Sequence, residues 1–133
     1  MDWTSLDFRV SSAELGGGVS SVSVGGEVDL STAPELKEVL NGVIDGGARF
    51  VLVDLSTATF IDSTTLGVLM GAVKRVRPDG GEIAIACSDP NIRKIFEITL
   101  LDRIFAIFPT AGEGGDHLRR GASEGGQRAT PVA

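Results

Sequence analysis

Four consecutive polar residues, Asp62-Ser63-Thr64-Thr65, stand between two apolar runs, "RFVLVDL" and "LGVLMGAV". Three kinds of chemistry fit such an interruption: a helix cap, a nucleophile with a base beside it, or a hydroxyl that another protein modifies. The cap is the economical reading, because Asp62 or Ser63 can accept a backbone N–H from a helix that starts near Thr64. A cap needs only one residue, however. Two adjacent β-branched threonines are also poor choices for a helix start on propensity alone.

A nucleophile needs convergent partners, and this chain has few. Its one histidine, His117, lies in a glycine-rich C-terminal segment with little apolar surface to hold it beside Ser63. The G-x-S-x-G elbow is absent as well, so no catalytic residue is assigned. The one cysteine, Cys87, sits inside "EIAIACS", reads as a small buried hydrophobe and has no disulfide partner. One Cys, one His and scattered carboxylates give neither a zinc spacing nor a calcium loop, and no metal or cofactor is expected. "GGGV" precedes a strand rather than a helix and no G-K-[ST] occurs, which removes the phosphate-cradling loops. Asp54 and Asp62 lie near a strand end, as a receiver-type phosphoacceptor would. The first strand ends in "SSAELGGG", without the further acids that a bound magnesium would require.

Charge narrows the partners. The 133-residue chain carries 18 acids against 12 bases, a formal net charge of -6, which disfavours nucleic acid or an anionic membrane surface as the main partner. The one basic cluster, Lys74-Arg75-Val76-Arg77, reads as the solvated end of a helix, where the dipole favours cations. No apolar run approaches the roughly 20 residues needed to span a bilayer. "MDWTSLDFRV" has acids where a secretory signal would have bases, so a cytoplasmic protein is expected.

The elements that must position the polar stretch follow from periodicity. "LDFRVSS" alternates at Leu6, Phe8 and Val10, and "VSSVSVGGEV" carries a β-branched series, which predicts an antiparallel pair joined through "AELGGG". Leu36, Val39, Leu40 and Val43 mark an amphipathic helix. It has a capping box at Thr32 and Glu35, Pro34 in its first turn and Gly46-Gly47 at its end. "RFVLVDLS" reads as a strand covered on both faces. A second helix presents Leu66, Leu69, Met70, Val73 and Val76 inward, and "EIAIACS" is a further buried strand. A third helix starts from Asp89 and Pro90, and "DRIFAIF" closes the order β-β-α-β-α-β-α-β, an α/β fold. From Thr110 on, six glycines and only two large aliphatics predict a disordered tail over 110–133, with the folded domain over 1–109.

With Leu66, Met70 and Val73 turned inward, the outer stripe of the second helix carries Thr64, Val68, Gly71 and Arg75. Val68 and Gly71 offer a smooth, partly apolar surface beside exposed hydroxyls, fit for docking another protein. A phosphate on Ser63 would bring about -1.5 to -2 of charge next to Asp62 and spoil that surface, while the helix N-terminus favours the anion within the chain.

The same residues carry a family resemblance. "VLVDLSTATFIDSTTLGVLMGAVKRV" closely resembles the central motif of the bacterial STAS-domain anti-sigma factor antagonists, and "GEVDLSTAPELKEVL" is similar to that family's earlier motif. The resemblance runs from about Leu6 to Phe108. It implies a STAS-like mixed β-sheet covered by helices, and a non-enzymatic partner switch. The unmodified protein would bind an anti-sigma factor that is also a serine kinase, releasing a sigma factor. Phosphorylation of Ser63, with Asp62 as the flanking acid, would end that binding, and a serine phosphatase would restore it. Thr64 is the alternative acceptor, and Asp29 matches a position near the partner surface. Two features depart from the family: many members have glycine where this chain has Thr65, and the glycine-rich tail replaces the usual C-terminal helix. The alternatives are a STAS scaffold that assembles with itself or with other STAS domains, and a nucleotide- or small-molecule-sensing module.

Overall fold

A computed structural model describes residues 7–128. Two antiparallel strands, β1 (Arg9–Gly16) and β2 (Val19–Val28), open the chain. The join is tighter than expected: β1 continues through Ala13-Glu14-Leu15, and Gly16, Gly17 and Gly18 turn the chain with φ of 81°, 66° and 82°. Such angles suit glycine because it has no Cβ. Leu6, assigned above to the first strand, lies outside the described residues.

From β2 onward strands and helices alternate: α1 (Ala33–Asp45), β3 (Phe50–Ile61), α2 (Ser63–Val76), β4 (Glu82–Ala86), α3 (Pro90–Ile98), β5 (Ala106–Phe108) and α4 (Ala111–Arg128). The sheet order is β1-β2-β3-β4-β5, antiparallel only between β1 and β2. Strands laid down in sequence with crossovers of one hand put every connecting helix on the same face. Accordingly, α1, α2 and α3 share one core with Val22, Val24, Val51, Val53, Ile83 and Ile85. Side chains alternate along a strand, so Leu52, Ala84 and Ala86 point to the opposite face.

That second face corrects the expectation for the C-terminus. Residues 111–128 form α4, and Leu118 is fully buried against Val19, Leu52, Ala84 and Ala86. The glycines that argued for disorder permit close approach: a Cβ on Gly114 would come within 2.6 Å of Leu52 Cδ1. The missing side chain at Gly114 leaves room for Leu52 beneath the helix. His117 is likewise anchored, with its Nε2 2.8 Å from Glu82 Oε2 and its ring 5.0 Å from that of Phe108. Arg119 donates to the Leu15 carbonyl at 3.0 Å.

Two further expectations shift. β3 does not end near Ser56. It runs to Ile61, pairing with both β2 and β4 over Phe50–Asp54 and with β2 alone from Thr57 to Ile61. One edge of this second half has no strand beside it, and Ser56, Thr57, Thr59 and Phe60 are exposed there while Ala58 and Ile61 are buried. β5 is only three residues long, because Leu101–Arg103 forms a 3-10 turn ahead of it. α3 starts as expected, with Asp89 Oδ1 accepting the amides of Asn91 at 2.8 Å and Ile92 at 3.4 Å.

Candidate functional site

The polar stretch sits where β3 hands over to α2. Asp62 is extended (φ −121°, ψ −176°) and is the N-cap, with its Oδ1 accepting the Thr65 amide at 3.1 Å. Ser63 is therefore the first helical residue. It is exposed, and among the described residues no partner holds its hydroxyl. Thr65 differs in kind: it is helical, fully buried, and its hydroxyl lies 3.0 Å from the Val28 carbonyl oxygen and 3.2 Å from Asp62 Oδ1. A helical Thr65 needs no glycine-like backbone, so the departure from glycine carries no backbone strain there.

Asp29 reaches the same end of the sheet by register. Val28 pairs with Ile61, so Asp29 and Asp62 are the next residues out of two adjacent strands. Asp29 Oδ1 accepts the Ser31 hydroxyl at 2.7 Å, the Ser31 amide at 2.9 Å and the Thr32 amide at 3.3 Å. The Ser31 hydroxyl, then its amide, hold the Asp29 carboxyl below the usual carboxylate range, because each bond favours the charged form. The capping box expected at Thr32 and Glu35 does not form. Thr32 makes no side-chain cap bond. Its hydroxyl is taken up by the Asp29 amide at 2.9 Å and the Glu27 carbonyl at 3.2 Å. Asp29 does the capping instead, through the turn that leads into α1.

Thr64, Val68 and Gly71 come together along a groove of about 380 Å³ between α1 and α2, facing Lys37, Leu40 and Asn41. Open space meets any Cβ built on Gly67 or Gly71, so the α2 side of the groove is smooth. Arg75 closes one end and is held by Asn41 Oδ1 at 3.0 Å and by Asp45. Sequence reasoning missed the apolar members of this region. Leu30, between Asp29 and Ser31, is 74% exposed, and Phe60, two residues before Asp62, is 48% exposed. The only signal in the sequence is a large apolar residue placed inside an otherwise polar connection.

The alternatives to a modified hydroxyl are separated in space. His117 is on α4, across the sheet from α2, so it cannot serve Ser63 as a base. Asp54 lies within β3 rather than at its end, and its Oδ1 accepts the Ser56 amide at 2.9 Å. Burial pushes the Cys87 thiol up and so keeps it from thiolate chemistry. Among the described residues no group of His, Cys, Asp and Glu could hold a metal ion, and no helix is long and apolar enough to cross a membrane.

The STAS domain family model matches residues 12–114, ending in the first turn of α4. An anti-sigma-B factor antagonist of Staphylococcus aureus is 40% identical over 78 residues, which cover 59% of this chain and 72% of that protein. The crystal structure of an anti-sigma factor antagonist from Mycobacterium paratuberculosis is similar with a TM-score of 0.77 at 28% identity, covering 84% of this chain and 94% of that one. The Bacillus cell fate determinant SpoIIAA in its phosphorylated form shares the fold, with a TM-score of 0.64 at 19% identity over 83% of this chain and 97% of that one.

Proposed function

The chain belongs to the STAS-domain family of anti-sigma factor antagonists, and on that premise we propose that it is a partner switch controlled by phosphorylation of Ser63. The observation that carries this reading is the presentation of Ser63: exposed, first in α2, its hydroxyl without a partner among the described residues, while Asp62 and Thr65 are committed to building the helix start. A residue that serves only as a cap would have that hydroxyl bonded to an amide.

In the unmodified state the partner is an anti-sigma factor. It covers the end of the sheet around Asp29 and Asp62 and the α1–α2 groove lined by Thr64, Val68 and Gly71. Leu30 and Phe60 supply apolar contact that water otherwise covers. Binding removes the anti-sigma factor from its sigma factor, and the sigma factor is freed. The anti-sigma factor doubles as a serine kinase. It transfers the γ-phosphoryl group of ATP to the Ser63 oxygen, which loses its proton, and ADP leaves. The phosphoserine brings about -1.5 to -2 of charge to a surface that already holds two carboxylates. Burying that charge in the interface without a cation to pair it is costly, and the complex dissociates. A serine phosphatase uses water to return Ser63 and release inorganic phosphate. The chain is then the substrate of these enzymes and not itself a catalyst, and it acts in the cytoplasm, where ATP and sigma factors are.

The test is direct. Kinase-type anti-sigma factors from the same genome are titrated against the chain by calorimetry and then given ATP. The expected results are a binding partner, one phosphate per chain on Ser63, none on Ser63→Ala, and affinity at least about tenfold weaker for Ser63→Asp, or 1.4 kcal/mol. Phosphate on the Ser63→Ala variant refutes the acceptor. Undiminished affinity of Ser63→Asp refutes the electrostatic mechanism.

A further inference from the structure

Resting on the reading of Ser63 as acceptor, we infer that Thr65 is a positioning residue whose buried hydroxyl keeps Ser63 free to be phosphorylated and ties it to the Asp29 segment. Three residues in a row could cap α2. Ser and Asp are comparable as N-caps, so nothing local decides between Asp62 and Ser63. If Ser63 were the cap, its oxygen would be spent on a backbone amide and its side chain folded back on the helix.

The tertiary contact of Thr65 decides the register. Its hydroxyl reaches the Val28 carbonyl at 3.0 Å, 37 residues back in sequence, and fastens the first turn of α2 to the last paired residue of β2. With Thr65 fixed there, its amide points at Asp62 Oδ1, 3.1 Å away, and the same carboxylate oxygen lies 3.2 Å from the hydroxyl. Asp62 has two bonding partners on one residue and Ser63 has none, so Asp62 wins the cap. Thr64, next along, is half-buried at the α1–α2 groove, which leaves Ser63 as the accessible hydroxyl.

The tie also runs outward. Val28 is followed directly by Asp29, whose carboxylate organises the Ser31–Thr32 turn and holds up exposed Leu30. One buried hydroxyl therefore joins the two strand ends that carry the site. A phosphate that draws on the first-turn amides of α2 competes with Asp62 for them and strains this node, so the Asp29–Leu30 segment feels the modification without touching it.

The experiment compares wild type with Thr65→Val, which keeps shape and amide but removes the hydroxyl, and Thr65→Ser, which restores it. The kinase is the one identified by the binding titration. Thr65→Val is expected to lower kcat for phosphate transfer about tenfold or more with KM little changed, since a misplaced nucleophile costs rate rather than binding. Mass spectrometry should find part of the remaining phosphate on Thr64, and Thr65→Ser should recover the rate to within about twofold. Wild type that takes no phosphate overturns the acceptor reading and this inference with it. Wild type phosphorylated on Ser63, with Thr65→Val matching it in kcat and in site, overturns this inference alone. A kinase-free measurement guards against a variant that does not fold. In the NMR spectrum of the wild type, the Thr65 hydroxyl proton should exchange slowly with water, and a fast-exchanging one would equally overturn the assignment.

Discussion

Replacing Leu118 with alanine should release α4 from the sheet while leaving the rest of the fold in place. Leu118 is the one large side chain of the helix that is fully buried among the described residues, and it lies against Val19, Leu52, Ala84 and Ala86. Truncating a buried leucine costs about 2–5 kcal/mol, depending on how far the surroundings collapse. α4 has little to set against that loss. Six of its 18 residues are glycine, each worth about 0.8–1.0 kcal/mol less than alanine in a helix interior. Cut off from the sheet, such a helix does not persist in water, so docking and helix formation are one event. The core built by α1, α2 and α3 lies across the sheet and does not include Leu118. The loss should therefore appear as local opening rather than global unfolding. Hydrogen exchange followed by mass spectrometry reads this directly. In Leu118→Ala the amides of residues 111–128 should lose protection by a factor of about 30 or more, the low end of the cost at 1.4 kcal/mol per decade. Those of α2 should hold within a few-fold. Protection of α4 equal to wild type would refute the packing argument, and equal losses in α4 and α2 would refute its confinement to one face.

The same helix gives the opposite sign at a solvent-facing glycine. A Cβ on Gly112 meets nothing nearer than Thr110 Oγ1 at 3.9 Å, so Gly112→Ala should raise α4 protection by about 0.5–1 kcal/mol through reduced chain entropy. Unchanged or lower protection there would count against the helix. At the site, the Asp29 carboxyl should titrate below the ordinary value of 3.8 in carbon-detected NMR, and Ser31→Ala should move it back up. Because its folded value is the lower one, Asp29 favours the folded state at pH above the ordinary value. That contribution is lost as pH falls through the lower, folded value. A midpoint at or above 3.8 would contradict the hydrogen bonding around Oδ1.

The polar stretch at the start of α2 was legible because it depends on local pattern. "FIDSTTLG" stands between a buried strand and an amphipathic helix, and periodicity alone places it at a helix start. α1 and α3 were legible for the same reason, each having an apolar stripe and an early proline within its own span, and α1 an end signal in Gly46-Gly47 just beyond it. Thr32 shows the limit. Its type and its spacing to Glu35 predicted a box, but a carbonyl and an amide near the end of β2 took up its hydroxyl first.

What the sequence by itself determined was the order of the elements from β1 to β5 and the placing of Ser63 at the start of α2, since each follows from nearest neighbours and a period of 2 or 3.6 residues. Only the tertiary structure decided that Thr65 is a buried tie to Val28, that α1 and α2 leave a groove beside Thr64, and that a glycine-rich segment becomes α4. Each depends on a surface brought in from elsewhere in the chain. The propensity of α4 opposes a helix at six positions, and what overcomes it is a sheet face on which Gly114 closes against Leu52 and Leu118 is buried among Val19, Leu52, Ala84 and Ala86.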